Sequence, residues 1–141
     1  MDVVYRGKIV DNAVFISEDG YLKSLGIKVE ELDKNIKKLV YLFNKIGLRT
    51  KFSCEGHEEH EYPCIIFDSY VTEDDICKVA SKILSANGYL GEFHLWVRKD
   101  DSDDVCTNWM FLINCPFKNI SDRISLINKV ENKIRKEYTC G

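Results

Sequence analysis

The chain has 141 residues, 45% of them hydrophobic and 30% charged, with a formal net charge of −3. This is the size and composition of one globular domain that can build a core without disulfide or metal scaffolding, and it excludes an intrinsically disordered segment. The acidic balance disfavours a nucleic-acid partner, whose phosphates call for a basic protein, and no apolar run approaches the ~20 residues that cross a bilayer.

The chain opens Met1-Asp-Val-Val-Tyr-Arg, which has the features of neither a signal peptide nor a transit peptide, so a cytoplasmic location is expected. In that setting the six cysteines (Cys54, Cys64, Cys77, Cys106, Cys115 and Cys140) read as reduced thiols, small buried hydrophobes or metal ligands. No oligomeric state follows from the sequence.

Residues 3–10 and 13–17 read as a β-hairpin joined at Asp11-Asn12, followed by a looser connection to about residue 29. A helix is predicted over 30–46, because Leu32, Ile36, Leu39, Val40, Phe43 and Ile46 recur on one face while Lys34, Lys37 and Lys38 point away. Gly47 is its natural stop. Residues 49–53 form a strand, and a second runs from Pro63 to Asp68, where Cys64-Ile-Ile-Phe67 is apolar on both faces and so central in its sheet.

Thr72-Glu-Asp-Asp75 has the form of a capping box for a second helix that ends at Asn87-Gly88 and buries Ile76, Val79, Ala80, Ile83 and Leu84. Strands over 90–98 and 106–114 follow, joined by the acidic tip 99–104, with Phe93, Leu95 and Val97 alternating with polar or amphipathic neighbours. A last helix over 121–137 buries Ile124, Ile127, Val130 and Ile134. The order is hairpin, then α-β-β-α-β-β-α, which predicts a single α+β domain. Its architecture is a two-layer sandwich of mainly antiparallel sheet with helices on one face. There is no Gly-rich phosphate loop.

One segment is chemically distinctive: Phe52-Ser-Cys-Glu-Gly-His57. Ser53, Cys54, Glu55, Gly56 and His57 make a candidate ligand-binding turn, in which backbone amides around Gly56 would receive an anionic group and Ser53 and His57 would add side-chain hydrogen bonds. Cys54, His57, His60 and Cys64 have the spacing Cys-x2-His-x2-His-x3-Cys, four donors of the kind zinc favours, with His94 available from another strand. The competing reading is a polar connector between two strands. Cys54 with His57 as nucleophile and base is a third reading.

Other clusters are less specific. Asp100, Asp101, Asp103 and Asp104 lack the ordered spacing, central Gly and terminal Glu of a calcium loop and read as a solvated tip. Trp96, Trp109 and Phe111 at strand spacing read as packing residues before stacking platforms. Lys118, Arg123, Lys129, Lys133, Arg135 and Lys136 read as a solvated basic face of the last helix.

The stretch from Leu42 through His57, continuing to Pro63-Cys-Ile-Ile-Phe67, resembles small uncharacterised bacterial and phage proteins in which a helix leads into a Thr-x-Phe-Ser-Cys-x-Gly-His turn. More distantly, Asn44, Thr50, Ser53, Cys54 and Gly56 match a pattern of the tRNA wybutosine-synthesising protein 3 family. That resemblance implies S-adenosylmethionine-dependent RNA modification. Glu55 and His57 stand where that family carries Ser and Arg, which makes a basic turn acidic. The sequence thus points to a ligand-binding or regulatory module with its site at Ser53–His57. Its alternatives are a zinc-binding protein or metal-dependent enzyme using Cys54 and His57, and an S-adenosylmethionine-dependent RNA-modifying enzyme.

Overall fold

In a computed structural model, the described residues are 3–5, 8–10, 17–57, 61–84, 91–113 and 120–138. Two strands, β1 (Val3–Tyr5) and β2 (Lys8–Val10), pair antiparallel with Tyr5 opposite Lys8. The expected first strand is therefore itself the hairpin, closed by a two-residue connection. The expected partner strand and its Asp11-Asn12 turn lie outside the described residues, apart from Ser17.

Ser17 is the N-cap of a helix that the periodicity did not announce, α1 (Glu18–Ser24). The Ser17 hydroxyl accepts from the Gly20 amide, and Glu18 and Asp19 complement the positive end of the helix dipole. At seven residues with an internal Gly, α1 is too short for a repeating stripe. Tertiary contact holds it: Tyr21 and Leu22 are buried, and the Tyr21 ring meets Tyr41 edge-on at 5.7 Å. The buried Lys45 ammonium lies 4.8 Å from the Tyr21 centroid, an additional cation–π contact.

The second helix, α2, spans Lys37–Lys45 and begins later than residue 30. A short 3-10 turn (Val29–Glu31) and a turn at 34–36 occupy the expected first half. The helix is displaced because Asp33 and Asn35 are drawn away to bind another loop. Its C-terminus closes as expected: Gly47 has φ +97°, its amide donates to Asn44 O, and Leu48 N donates to Phe43 O. That pair of bonds is a Schellman motif.

The remaining chain supplies β3 (Thr50–Cys54), β4 (Cys64–Phe67), α3 (Glu73–Ile83), β5 (Glu92–Lys99), β6 (Val105–Leu112) and α4 (Ile120–Tyr138). The four strands form one antiparallel sheet in the order β3-β4-β6-β5, so β4 is internal as expected. Thr72 and Asp75 complete the expected capping box of α3 through reciprocal bonds of 3.1 and 3.2 Å.

Strand parity assigns the faces. Ile65, Phe67, Phe93 and Phe111 share the face under the helices, and Phe43 of α2 sits against three of these rings at 5.3–6.4 Å between centroids. Around this hub lie Leu39, Val40 and Ile46 from α2, Ile76, Val79 and Ile83 from α3, and Ile127, Val130 and Ile134 from α4. Leu95 and Val97 share the core-side face with Phe93 but are exposed, because the helical layer does not extend over them. Arg123, expected on a solvated face, is buried, as is Glu131. The tip after β5 is solvated as expected: Asp100 accepts bonds from Ser102 and Asp104 amides.

The joint between α2 and β3 rests on Asn44. Its amide nitrogen donates to Val40 O (2.8 Å) and Thr50 Oγ1 (2.9 Å), and its oxygen accepts from Thr50 N (3.2 Å), all buried. Asn44→Ala strands the Thr50 amide and hydroxyl, so we expect a loss of about 1–3 kcal/mol in denaturant unfolding. Burial raises the Glu131 carboxyl above its usual range, Lys38 and Arg135 partly offset this, and Glu18 adds to it. A carboxyl raised on folding is penalised once ionised, so its unfavourable contribution appears as pH climbs above the unfolded value and vanishes in acid. Glu131→Gln is expected to raise Tm at pH 7, with the gain shrinking as pH falls toward 4.

Candidate functional site

The turn singled out in the sequence is held by a reciprocal clasp. Asp33 Oδ2 accepts from the Glu55 amide at 2.9 Å and lies 3.0 Å from His57 Nε2. In return, the Glu55 carboxylate accepts from the Asn35 amide (3.1 Å) and from Asn35 Nδ2 (2.8 Å). The elements dictate this meeting. The nine residues of α2 rise about 14 Å, and the five of β3 extend about 17 Å in the opposite direction. The residues just before the helix therefore arrive beside those just after the strand.

Gly56 makes the bend at φ +84°, and a Cβ there would sit 2.9 Å from Glu61 O and 3.3 Å from Arg123 Nη1. Buried Arg123 from the first turn of α4 thus lies directly under the turn. Gly56 N also donates to Cys54 Sγ at 3.4 Å.

The result is a convergence of three different donor types. One ligand atom each from Asp33, Cys54 and His57 lies within 4.8 Å of the others, with Asp33 and Cys54 half-buried and His57 exposed. The sequence indicated Cys54 and His57; Asp33 was missed because it lies more than twenty positions away and sat inside a helical pattern. No local signal marks it, since Leu32 and Ile36 continue the helical period across it.

The other expected residues fall elsewhere. Cys64 stands directly across the strand pair from Cys54 and is half-buried on the sheet face turned away from the helices. His60 lies outside the described residues. His94 is on β5, at the far edge of the sheet, beside Glu92 at 3.5 Å. Glu55 spends its carboxylate on Asn35. Ser53 points to the core side, its hydroxyl oxygen buried and without a hydrogen bond among the described residues.

The Cys54 thiol is half-buried with three carboxylates around it. Burial raises the Cys54 thiol above its ordinary value; the Gly56 amide opposes this, and the carboxylates of Asp33, Glu61 and Glu55 reinforce it. Cys64 is pushed up to about 11, chiefly by burial and then by Cys54 and Glu61. A nucleophilic cysteine needs the reverse, a cationic setting that stabilises thiolate. Around Cys54 the Gly56 amide acts in that direction, against burial and the three carboxylates.

Beside β3, between it and residues 25–32, lies a cavity of about 480 Å³ with Lys28, Arg49 and Lys51 on its walls. Of the distinctive segment, Phe52 and Ser53 line it.

A model of the YoqC prophage protein family matches residues 21–138. The chain belongs to the YoqC prophage protein family. The match bears out the expectation of a phage-associated protein and spans both edges of the sheet together with the Asp33–Cys54–His57 site of this YoqC-family chain. No curated protein and no solved structure matches it. Among the described residues no helix is long and apolar enough to cross a membrane.

Gly56 is required twice over, by its backbone angle and by its neighbours. Gly56→Ala is expected to lower stability by about 1–2 kcal/mol from the left-handed backbone alone. It should also displace the 55–57 turn, which would appear as amide chemical-shift changes at Asp33 and Asn35.

Proposed function

We propose that this YoqC-family protein binds a zinc-class divalent cation through Asp33, Cys54 and His57. The observation that carries the reading is the convergence of a carboxylate, a thiol and an imidazole from two separate parts of the chain. Three features support it. The donors are of the types that zinc takes in tetrahedral sites, and three protein ligands leave the fourth position for water or a small ligand. The Gly56 N–H···Sγ bond and the Glu55 amide bond to Asp33 are second-sphere contacts that fix ligating atoms in place. His57, at the outer side, leaves the site open to solvent.

On this reading the ligand-binding module indicated by the sequence uses the ion as its anchor. Glu55 and Asn35 position the ligands, and Gly56 shapes the turn. Binding proceeds with loss of the Cys54 thiol proton, because thiolate is the ligating form.

Zinc added to metal-free protein, purified without a metal-affinity tag, is expected to bind one equivalent and raise Tm. At a free zinc concentration one hundred times Kd, the stabilisation is about 2.7 kcal/mol. Asp33→Ala, Cys54→Ala and His57→Ala should each abolish most of that rise. Absence of a zinc-dependent shift in the parent protein, or an equal shift in all three variants, would overturn the proposal.

A further inference from the structure

The two edges of the sheet are finished differently. Edge strand β3 carries an irregularity between Thr50 and Phe52, and residues 25–35 run alongside it, tied by Arg49 to Leu25 O and by Asn35 to Glu55. These are the devices that keep an edge from pairing with another chain. Among the described residues edge strand β5 carries neither a register irregularity nor a covering segment. Its eight residues pair with β6 in unbroken register from Glu92 to Lys99, and it contains no proline. Among the described residues no strand occupies its outer side.

The middle of β5 is apolar and exposed: Leu95 is 50%, Trp96 40% and Val97 57% accessible. Leu95 and Val97 continue on the core-side face, where Val105 and half-buried Trp109 of β6 lie in register with Lys99 and Leu95. A long, regular, apolar edge is a template for strand addition.

The sequence of β5 also selects a partner. Two copies related by a two-fold axis pair antiparallel only with residues of one face opposite one another, so the axis passes through a single residue. Centring on Leu95 sets Glu92 opposite Arg98 twice, Phe93 opposite Val97, His94 opposite Trp96, and Leu95 opposite itself. Centring on Trp96 instead sets Glu92 against Asp100, a pair of like sign, and leaves no pair of opposite charge. Centring on His94 leaves Glu92 opposite Trp96 and gives no charge pairing. Cross-strand opposite charges stabilise a sheet and like charges destabilise it.

We propose that β5 is the dimerisation edge of this protein, with a second copy added antiparallel about Leu95 to give a continuous eight-stranded sheet. Arg98 already stacks on Trp96 at 4.1 Å and bonds Asn108 at 2.8 Å, which holds its guanidinium on the face where the partner's Glu92 arrives. Leu95, Val97 and Trp109 of the two copies then meet in one continuous apolar strip on the helix side. This surface is separate from the Asp33–Cys54–His57 site, which lies at the opposite edge of the sheet, so the proposal stands without the metal reading.

The test is analytical ultracentrifugation of the full chain with charge-reversal variants. The parent protein is expected at twice the monomer mass in the tens of micromolar. Arg98→Glu and Glu92→Arg should each shift it to monomer, and the double variant should restore the dimer because the pair is rebuilt with its signs exchanged. If Arg98→Glu fails to fold, Leu95→Lys replaces it as the disrupting variant. Register is read independently by Leu95→Cys, which is expected to form an intermolecular disulfide on mild oxidation while Val97→Cys does not. A parent monomeric at about 100 µM, single variants as dimeric as the parent, or a double variant no better than the singles would each overturn the proposal.

Discussion

The seating of α2 on the sheet is the constraint from which the rest of this structure follows. Phe43 is fully buried among the rings of Phe67, Phe93 and Phe111, and so fixes where the helix lies over the three strands that carry them. The next residue, Asn44, points about 100° further round the helix and spends its whole amide on Val40 and Thr50. Aromatic burial thus sets the position of the helix, and a buried amide sets the start of β3 against it. Neither is replaceable by the other, since one is non-directional and the other is purely directional.

With α2 seated, the geometry of the candidate site is nearly forced. Helix and strand run antiparallel over comparable lengths, so Asp33 and Asn35 meet Glu55 and His57 at the far end. The two sides exchange hydrogen bonds reciprocally, each carboxylate accepting a backbone amide from the other side. Cys54, the last residue of β3, is the remaining contributor. A site assembled this way inherits its rigidity from the core two layers away, which is what a cation needs of ligands that must keep their spacing whether or not it is bound.

Much of this was legible in the sequence, and the limits have physical causes. The stripe Leu39, Val40, Phe43 and Ile46 announced the core helix, and Thr72 with Asp75 announced the start of α3, because both signals are local. The N-terminal boundary of α2 was misplaced, since Leu32 and Ile36 continue the helical period while Asp33 and Asn35 answer to a loop twenty residues on. α1 was missed because seven residues bury only Tyr21 and Leu22, too few to repeat. Alternation assigned Leu95 and Val97 to a face correctly, but alternation reports the face and not whether a helix reaches over it. For the candidate site, Cys54, His57 and the bend at Gly56 were visible; Asp33 was not, because no spacing rule connects the end of one turn with the far end of a helix–strand pair.

Membership of the YoqC prophage protein family places this arrangement in a phage-derived setting. Burial and the negative field of Asp33, Glu61 and Glu55 are unfavourable to a Cys54 thiolate alone, and the divalent ion we propose would offset that field. X-ray absorption at the zinc edge of the protein loaded with one equivalent of zinc puts that distinction to a direct measurement. The account predicts a first shell with one sulfur at about 2.3 Å and the remaining nitrogen and oxygen ligands near about 2.0 Å. A shell of light atoms alone, or one unchanged when Cys54 is replaced by Ala, would contradict it.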